Sequence, residues 1–406
     1  MSEGRGNVAY RHARARLLMG TVLLVVAGGV AWGLRGSEDS DVLRTVAVAS
    51  NPQIVVIDLQ GRAFVAGSNG RVSVLDAHTS DPLTAVAIGA DPSAAIIDAG
   101  RGRAIICSRA TGLLSMLDTQ RMQVMRRVPV GGTCPTALAV DVRRGRVYVP
   151  TSLGVRVLAT RTGIVLRTVV LPAQTQAVAV AVDPRTGRAF VTGSGNTVSI
   201  LDGRGAALVR TVTVGQNPGP VVVDAVSGRV FVVNSGADSV SMLDARTGTV
   251  LRTVPVGAFP VALAVDGRTG RVFVVNQGGG GSVSTLDTTT GTVVATTPVG
   301  GAPLAVAVDA RTGRVFVTGT ATGVASGAPH LSPFLDRLIV DVAGVWHSVR
   351  HQDTGHVSVL NARSGAILYT VAVGQGPSTV AVSERTNQAF IANFNSNSVS
   401  VLDATR

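Results

Sequence analysis

The sequence predicts an all-β fold, an eight-bladed β-propeller of four-stranded blades, with seven blades as the alternative count. Three observations support this prediction. The chain of 406 residues has 48 glycines, no lysine and only three glutamates among its 24 acidic residues, which favours short strands and tight turns over helices. A sequence marker recurs about every 42 residues. Each repeat contains four short apolar runs bounded by turn residues.

The repeat marker is an apolar residue followed by Leu-Asp, with Leu-Ala and Leu-Asn as degenerate copies. Its leucines are Leu75, Leu117, Leu158, Leu201, Leu243, Leu286, Leu360 and Leu402. Successive leucines are 42, 41, 43, 42, 43, 74 and 42 residues apart, so one interval is long by about 31. Eight copies of one unit therefore account for residues 42–406, which we predict to be a single domain.

The N-terminal segment differs in composition from the repeats. Residues 17–34 are uncharged and largely apolar, which is about the minimum length that spans a hydrocarbon core. Basic residues precede this stretch, so we expect 1–16 in the cytoplasm, 17–34 as a transmembrane signal-anchor and 35–41 as a linker. A cleaved signal peptide is the alternative, and cleavage would give a secreted protein. Both interpretations place the repeats outside the cytoplasm, at the cell surface or in the periplasm.

The clearest copy of the repeat illustrates the four strands. Its runs are 250–256, 261–265, 271–275 and 282–286, each rich in Val or Thr. An Asp-Gly-Arg-Thr-Gly turn separates the second and third runs. There Asp266 can bond the following amides, and Gly270 suits a positive φ. Runs that are apolar on both sides are typical of strands buried between neighbouring blades.

Three motifs resemble the YVTN β-propeller repeat proteins. They are the Val-Gly-x-x-Pro turn at 256–260, the Arg-Val-Phe-Val-Val-Asn strand at 229–234 and 271–276, and Ser-Val-Ser-x-Leu-Asp at 239–244. The resemblance covers about 360 of the 406 residues, and the turn before the fourth blade departs from it. It implies a propeller and one of the varied extracytoplasmic roles of that family.

Strand order predicts how the ring closes and where its loops lie. The repeat region begins with an outer-type strand, 42–48, and ends after a third strand, 398–402. We therefore expect the N-terminal strand to complete the last blade, which leaves no open sheet edge. The connections fall on two opposite faces, and the arginine-rich turns share one of them.

One long insertion, residues 320–355, lies in the seventh blade. Ser332-Pro333 is a favourable helix start, and apolar residues then recur at helical spacing, so we predict a helix from about 333 to 351 over the mouth of the ring. Together with the loops of the same face, this lid supplies the candidate ligand-binding residues. They are Asp238, Phe259, Phe334, Trp346 and Phe394.

Histidines cluster in and beside the insertion. His347 and His351 are four residues apart, the spacing of two metal ligands on one helix face, and Asp353 or His356 could add a third. Solvent-facing histidines on the lid are the alternative. No cofactor is predicted, and a metal at the insertion is the minority hypothesis.

The two cysteines, Cys107 and Cys134, fall on the same face of neighbouring blades. A disulfide between them is geometrically allowed in this compartment, and two free thiols are the alternative.

These residues favour a monomeric, membrane-tethered scaffold over an enzyme. The N-terminal helix would bind the membrane, and the loop face with its lid would bind a protein or a small molecule. Nucleic acid is excluded as a partner because the arginines lack aromatic stacking platforms. A propeller oxidoreductase or lyase with its site under the lid, and a purely structural surface module, are the alternative functions.

Overall fold

The computed structural model describes residues 42–48, 50–132, 134–135, 137–172, 176–320 and 355–405. The chain divides into two units, Met1–Asp41 and Val42–Arg406, and every described residue belongs to the second. Within these residues, 32 strands form eight four-stranded antiparallel sheets, so the protein is an eight-bladed β-propeller. The seven-blade alternative is wrong.

The strands are numbered in chain order, and each blade runs from its innermost to its outermost strand. Blade 1 contains β2 (Pro52–Ile57), β3 (Arg62–Gly67), β4 (Arg71–Asp76) and β5 (Pro82–Ala87). Blade 2 contains β6 (Pro92–Asp98), β7 (Arg103–Ser108), β8 (Leu113–Asp118) and β9 (Gln123–Pro129). Blade 3 contains β10 (Ala139–Asp141), β11 (Arg146–Thr151), β12 (Gly154–Ala159) and β13 (Val165–Val169). Blade 4 contains β14 (Ala177–Val182), β15 (Ala189–Gly193), β16 (Thr197–Leu201) and β17 (Leu208–Thr213).

The second half of the ring repeats this arrangement. Blade 5 contains β18 (Pro218–Asp224), β19 (Arg229–Asn234), β20 (Ser239–Asp244) and β21 (Val250–Pro255). Blade 6 contains β22 (Pro260–Asp266), β23 (Arg271–Asn276), β24 (Ser282–Asp287) and β25 (Val293–Pro298). Blade 7 contains β26 (Ala302–Asp309), β27 (Arg314–Thr320), β28 (Gly355–Asn361) and β29 (Ile367–Val373). Blade 8 contains β30 (Pro377–Ser383), β31 (Gln388–Asn393), β32 (Ser398–Asp403) and, as its outermost strand, β1 (Val42–Ala47).

The two ends of the propeller meet in blade 8. Strand β1 pairs antiparallel with β32, with Val46 opposite Val399 and Ala47 opposite Ser398. The innermost strands contact one another around the ring, and β2 contacts β30.

The core lies between the blades, where second-strand aromatic residues are enclosed. Six phenylalanines and one tyrosine occupy the same strand position, and each is at most 1% exposed: Phe64, Tyr148, Phe190, Phe231, Phe273, Phe316 and Phe390. Each is surrounded by Val, Ile and Leu from its own blade and the next. Burial of a large aromatic side chain in seven of the eight blades, with Ile105 at this position in blade 2, stabilises the stacking of blades.

The connections form two faces. The turn face comprises the turns after each first strand (58–61, 99–102, 142–145, 183–188, 225–228, 267–270, 310–313, 384–387) and after each third strand (77–81, 119–122, 160–164, 202–207, 245–249, 288–292, 362–366). The loop face comprises the loops after each second strand (68–70, 109–112, 152–153, 194–196, 235–238, 277–281, 394–397) and before each first strand (48–51, 88–91, 130–138, 170–176, 214–217, 256–259, 299–301, 374–376).

The fold prediction requires one correction, because the helical insertion in blade 7 is not seen. The described residues contain no α-helix and only one 3₁₀ turn, Ser235–Ala237. The residues of the predicted helix lie outside the described ranges. Apolar spacing was an insufficient basis for that helix, since the stretch is rich in β-branched residues and contains Gly344, which both weaken helix formation.

In the described part of the chain, no helix is long and apolar enough to cross a membrane. The segment 17–34 that prompted the signal-anchor prediction lies outside that part.

Candidate functional site

Aspartates at the ends of strands accept hydrogen bonds from the turns that follow them. Asp266 is buried at the end of β22 and accepts hydrogen bonds from the Arg268 amide (2.9 Å) and the Thr269 hydroxyl (2.8 Å). Asp287, the last residue of β24, accepts hydrogen bonds from the Thr289 and Thr290 amides. The Thr290 amide contributes most to lowering the pKa of Asp287, against the opposing effect of burial. These carboxylates fix turns, which is the role that the repeat predicts.

The loop face holds a repeated left-handed position. In six blades the residue immediately before the first strand has a positive φ. Two of these residues are glycines, Gly301 and Gly376, and the others have φ values of 48° at Asn51, 54° at Asp91, 49° at Asn217 and 49° at Phe259. Asn and Asp adopt this conformation at little cost, whereas a bulky side chain is strained there. Phe259 is therefore a backbone outlier among equivalent positions, and such outliers concentrate at functional sites.

Asp238 holds Phe259 in place. Asp238 follows the 3₁₀ turn, has a φ of 43°, and its Oδ1 accepts the Phe259 amide at 2.7 Å. The same contact recurs where Asn397 Oδ1 accepts the Asn51 amide at 2.7 Å. Asp238 therefore has a positioning contact in the structure, and the ligand contact predicted for it stays a prediction.

Phe259 is the exposed aromatic of the described residues, at 53% exposure. Phe394, the other described aromatic candidate, is half-buried in blade 8. Its amide donates to the Gly376 carbonyl at 2.8 Å and its carbonyl accepts from Asn51 Nδ2. Blade 7 separates the loops that carry these two phenylalanines. Phe334 and Trp346 lie outside the described residues, so their predicted binding role stays a prediction.

A glycine loop flanks Phe259. The Gln277 amide donates to the Phe259 carbonyl at 3.0 Å, and the Gly278 amide donates to the Ala258 carbonyl at 2.9 Å. Gly279 and Gly280 follow, and a Cβ added to either would meet nothing within 4 Å. The backbone of Phe259 is therefore bonded to the start of a glycine loop whose Cα atoms border open space.

At the loop-face ends of the innermost strands, here called the channel mouth, one position is polar in three adjacent blades and apolar in four, which we call its polar and apolar halves. Each innermost strand ends at an aspartate or is directly followed by one, except that blade 8 has a serine there. The residues compared here lie five positions before that aspartate or serine. Blades 8, 1 and 2 place Ser378, Gln53 and Ser93 there, and blades 4 to 7 place Val178, Gly219, Val261 and Leu304 there. Leu304 is 40% exposed, and Phe259 belongs to a blade of the apolar half. Alignment of the repeats at this position would have revealed the asymmetry from sequence.

Of the four predicted metal ligands, His356 lies within the described residues and the other three do not. His347, His351 and Asp353 lie outside them. His356, at the start of β28, packs its imidazole against Gly319 and Gly301 and donates to the Val299 carbonyl. Burial lowers the pKa of His356 below its usual 6.5, although the bond to Val299 opposes this shift. Within the described ranges, no group of three His, Cys, Asp or Glu is placed to hold a metal ion.

A disulfide joins Cys107 and Cys134, with 5.7 Å between their Cα atoms. Cys107 lies in β7 of blade 2 and Cys134 in the loop that leads into blade 3. Both side chains are buried, so the bond links neighbouring blades within one apolar cluster.

Two cavities lie away from the channel mouth. One, of about 460 Å³, is on the turn face between blades 1 and 2, and its lining includes Arg101, Arg103 and Arg121. The other, of about 450 Å³, is an apolar groove between the outer strands of blades 5 and 6, and its lining includes Val254 and Val293. The sequence did not predict either cavity.

The comparisons with known proteins support the fold. No protein-family model and no curated protein sequence matches the chain. Among solved structures, it is similar to the computationally designed Ika8 protein, with a TM-score of 0.64 and 13% identity over 88% of this chain and 98% of that one. BamB from Moraxella catarrhalis has a TM-score of 0.59 and 15% identity over 89% and 99%. Hydrazine synthase from Kuenenia stuttgartiensis has a TM-score of 0.54 and 17% identity over 91% and 98%. At these identities, the comparisons support the propeller fold alone.

Proposed function

We propose that this protein is a membrane-tethered, extracytoplasmic propeller of the YVTN type that binds a protein or small-molecule ligand through its loop face. The observation that carries the proposal is Phe259, a large apolar side chain that is 53% exposed in a strained left-handed conformation. Asn, Asp or Gly would occupy this position at lower cost, so a bulky aromatic there is best explained by a contact.

The surroundings of Phe259 support the same conclusion. Asp238 fixes the Phe259 backbone through a 2.7 Å hydrogen bond, so little ordering remains to be done on binding. The flanking glycines leave the ring accessible, and the apolar half of the channel mouth adjoins its blade. A rigid aromatic beside apolar surface is the usual form of an interaction hot spot.

Site-specific photocrosslinking tests the proposal in the full-length chain in its own membrane. We expect a photoreactive phenylalanine analogue at position 259 to give a discrete adduct on illumination. The matched control is the same analogue at Val226, which is 74% exposed on the turn face and should give no such adduct. Identical adducts at both positions, or none at 259, would show that the loop face around Phe259 is not the binding surface.

A second variant tests whether the insertion contributes. Thr320 pairs with Gly355 as Thr151 pairs with Gly154 across a two-residue turn in blade 3. Replacing residues 321–354 by Ser-Leu, the turn of blade 3, should therefore keep the register of β27 and β28. If the adduct at 259 persists, binding is assigned to the loop face around Phe259 alone. If the adduct is lost while the fold is retained, binding is assigned to that surface and the insertion together.

A further inference from the structure

A ring of exposed apolar side chains encircles the propeller next to the turn face. Each outermost strand begins at the turn face, and an equivalent residue near its start is between 42% and 53% exposed in all eight blades. We call these residues the apolar belt: Leu43, Leu83, Met125, Leu166, Val209, Leu251, Val294 and Leu368. Isolated exposed apolar residues are ordinary, but eight at equivalent positions form a feature that every blade repeats.

The exposed apolar residues of the described chain are concentrated on this side. Besides the belt and the residues beside it, the turn face exposes large apolar side chains within the turns themselves, namely Leu59, Val142, Ile164 and Val226. The loop face and channel mouth expose Leu153, Val170, Phe259 and Leu304. Among the described residues, the excess on the turn-face side therefore comes from the belt and the residues beside it, since the turns and the loop face with the channel mouth expose four each.

Charge is distributed in the same way. The exposed arginines of the described turn-face segments are Arg121, Arg143, Arg144, Arg161, Arg185, Arg204, Arg246, Arg268, Arg311, Arg363 and Arg385. The exposed acids of those segments are Asp81 and Glu384, and Asp81 is paired with Arg44 at 2.8 Å. In the described loop-face segments, the exposed charges are one arginine, Arg109, and one aspartate, Asp238. Of the segments that the structure describes, those of the turn face are strongly positive and those of the loop face are not.

We propose that the turn face and the apolar belt lie on the surface of an anionic lipid bilayer. The arginines match the phosphates of lipid headgroups, and a ring of aliphatic side chains around them matches the boundary with the acyl chains. A belt that surrounds the whole propeller is complementary to a plane, whereas a globular protein partner would cover only some of the blades.

The connectivity of the chain is consistent with this partner. Strand β1 begins at Val42, beside belt residue Leu43. Seven residues, 35–41, connect Val42 to the apolar stretch 17–34, and seven extended residues span at most about 25 Å. This inference rests on the membrane tether of the proposed function but not on a ligand at Phe259.

Depth measurements on the full chain in phosphatidylcholine–phosphatidylglycerol vesicles test the proposal. A fluorophore is attached to a cysteine introduced by Leu166→Cys in the belt or by Leu153→Cys on the loop face of the same blade. The native cysteines are joined in a disulfide, which leaves the introduced thiol for labelling. We expect lipids carrying a nitroxide to quench the label at 166 at least threefold more than the label at 153. Equal quenching at both sites, or no quenching at 166 while the chain floats with the vesicles, would overturn the proposal.

Charge variants provide the second arm. Arg161→Gln, Arg246→Gln and Arg363→Gln combined should reduce quenching at 166 in anionic vesicles, as should replacing phosphatidylglycerol by phosphatidylcholine. Arg71→Gln with Arg109→Gln, near the loop face, is the matched control and should change nothing. Quenching that depends on neither change would contradict an anionic lipid partner. A chain that does not float with the vesicles at all would refute both the membrane tether and the docking of the turn face on lipid. The photocrosslinked adduct at position 259 tests ligand binding independently of both.

Discussion

At the scale of single residues, the repeat motifs have direct physical causes. Asn234, at the end of β19, donates from Nδ2 to Ser239 at 3.1 Å and Ser241 at 2.9 Å, which links the second and third strands of blade 5. Asn276 and Asn393 do the same in blades 6 and 8. A Cβ on Gly215 would lie 2.6 Å from the Asn234 amide carbon, so the glycine of the Val-Gly turn makes room for this side chain. Phe259 differs from these residues, because no comparable contact among the described residues explains a phenylalanine at its position.

Phe259→Asn should stabilise the protein by about 1 kcal/mol, because it replaces a strained left-handed residue by one that tolerates this conformation. The same change should abolish the adduct formed by a crosslinker at neighbouring Gln277. Urea unfolding midpoints measure the first effect. The reciprocal variant, Asn217→Phe, is the control and should destabilise by a similar amount. Destabilisation by Phe259→Asn would show that the ring is held by packing and not reserved for a ligand.

At the scale of the blade, sequence reasoning was accurate where one repeat determines its own structure. The run 261–265 was predicted as a strand and is observed as β22, Pro260–Asp266. Side-chain contacts between blades were missed, because one repeat does not define its distance to the next. Arg252 in β21, for example, donates to the Thr290 carbonyl of the following blade at 3.3 Å. The left-handed backbone of Phe259 was missed because the sequence around it shows only a loop before a proline.

Blade 7 departs from the module of blades 5, 6 and 8. Gly319 stands where those blades have asparagine, and His356 stands where they have serine. A Cβ added at Gly319 would lie 3.0 Å from the His356 imidazole. The histidine ring therefore occupies space that the asparagine side chain fills in blades 5, 6 and 8.

This exchange predicts an acid-sensitive blade. Since burial lowers the pKa of His356 in the folded state, the unfolded state binds more protons, and stability falls as the pH drops below about 6.5. Gly319→Asn with His356→Ser restores the module of the other blades and should reduce the difference between unfolding midpoints at pH 5 and pH 7.5. The exposed His78→Ser is the control. An unchanged difference in the double variant would assign acid sensitivity to other groups.

At the scale of the whole molecule, arginine holds neighbouring blades together. Arg167, Arg210 and Arg252 lie at one position of consecutive outer strands, and each donates to a backbone carbonyl in the third-to-fourth strand turn of the next blade. On the inner turns, Arg185 donates to Ala225 and Arg385 to Leu59, the latter from blade 8 to blade 1. Several of the arginines behind the net charge of +12 therefore bind neighbouring blades together, and the exposed ones also make the turn face positive. A long side chain with several planar donors suits this contact, which helps to explain the use of arginine throughout.

The disulfide should stabilise the ring where the repeat is least regular. Strand β10 has only three residues, and Cys134 lies in the loop just before it. A bond between residues 27 apart in sequence contributes about 3 to 4 kcal/mol by loop-closure entropy. Reductant should therefore lower the thermal unfolding midpoint of the wild type but not that of a Cys107→Ala, Cys134→Ala variant. Two titratable thiols in unreduced protein, or a midpoint insensitive to reductant, would contradict this expectation.

The pairing of β1 with β32 also imposes an order on biosynthesis. Val46 in β1 and its partner Val399 in β32 are 353 positions apart (399 − 46), so the first strand emerges long before its partner exists. At ~5–20 residues per second, translation of that interval takes roughly 20 to 70 s. Throughout this time β1 is an unpaired strand beside seven blades in assembly, and Arg44 within it gives the waiting edge a charge that discourages pairing with other chains. Final closure of the ring therefore awaits the synthesis of β32.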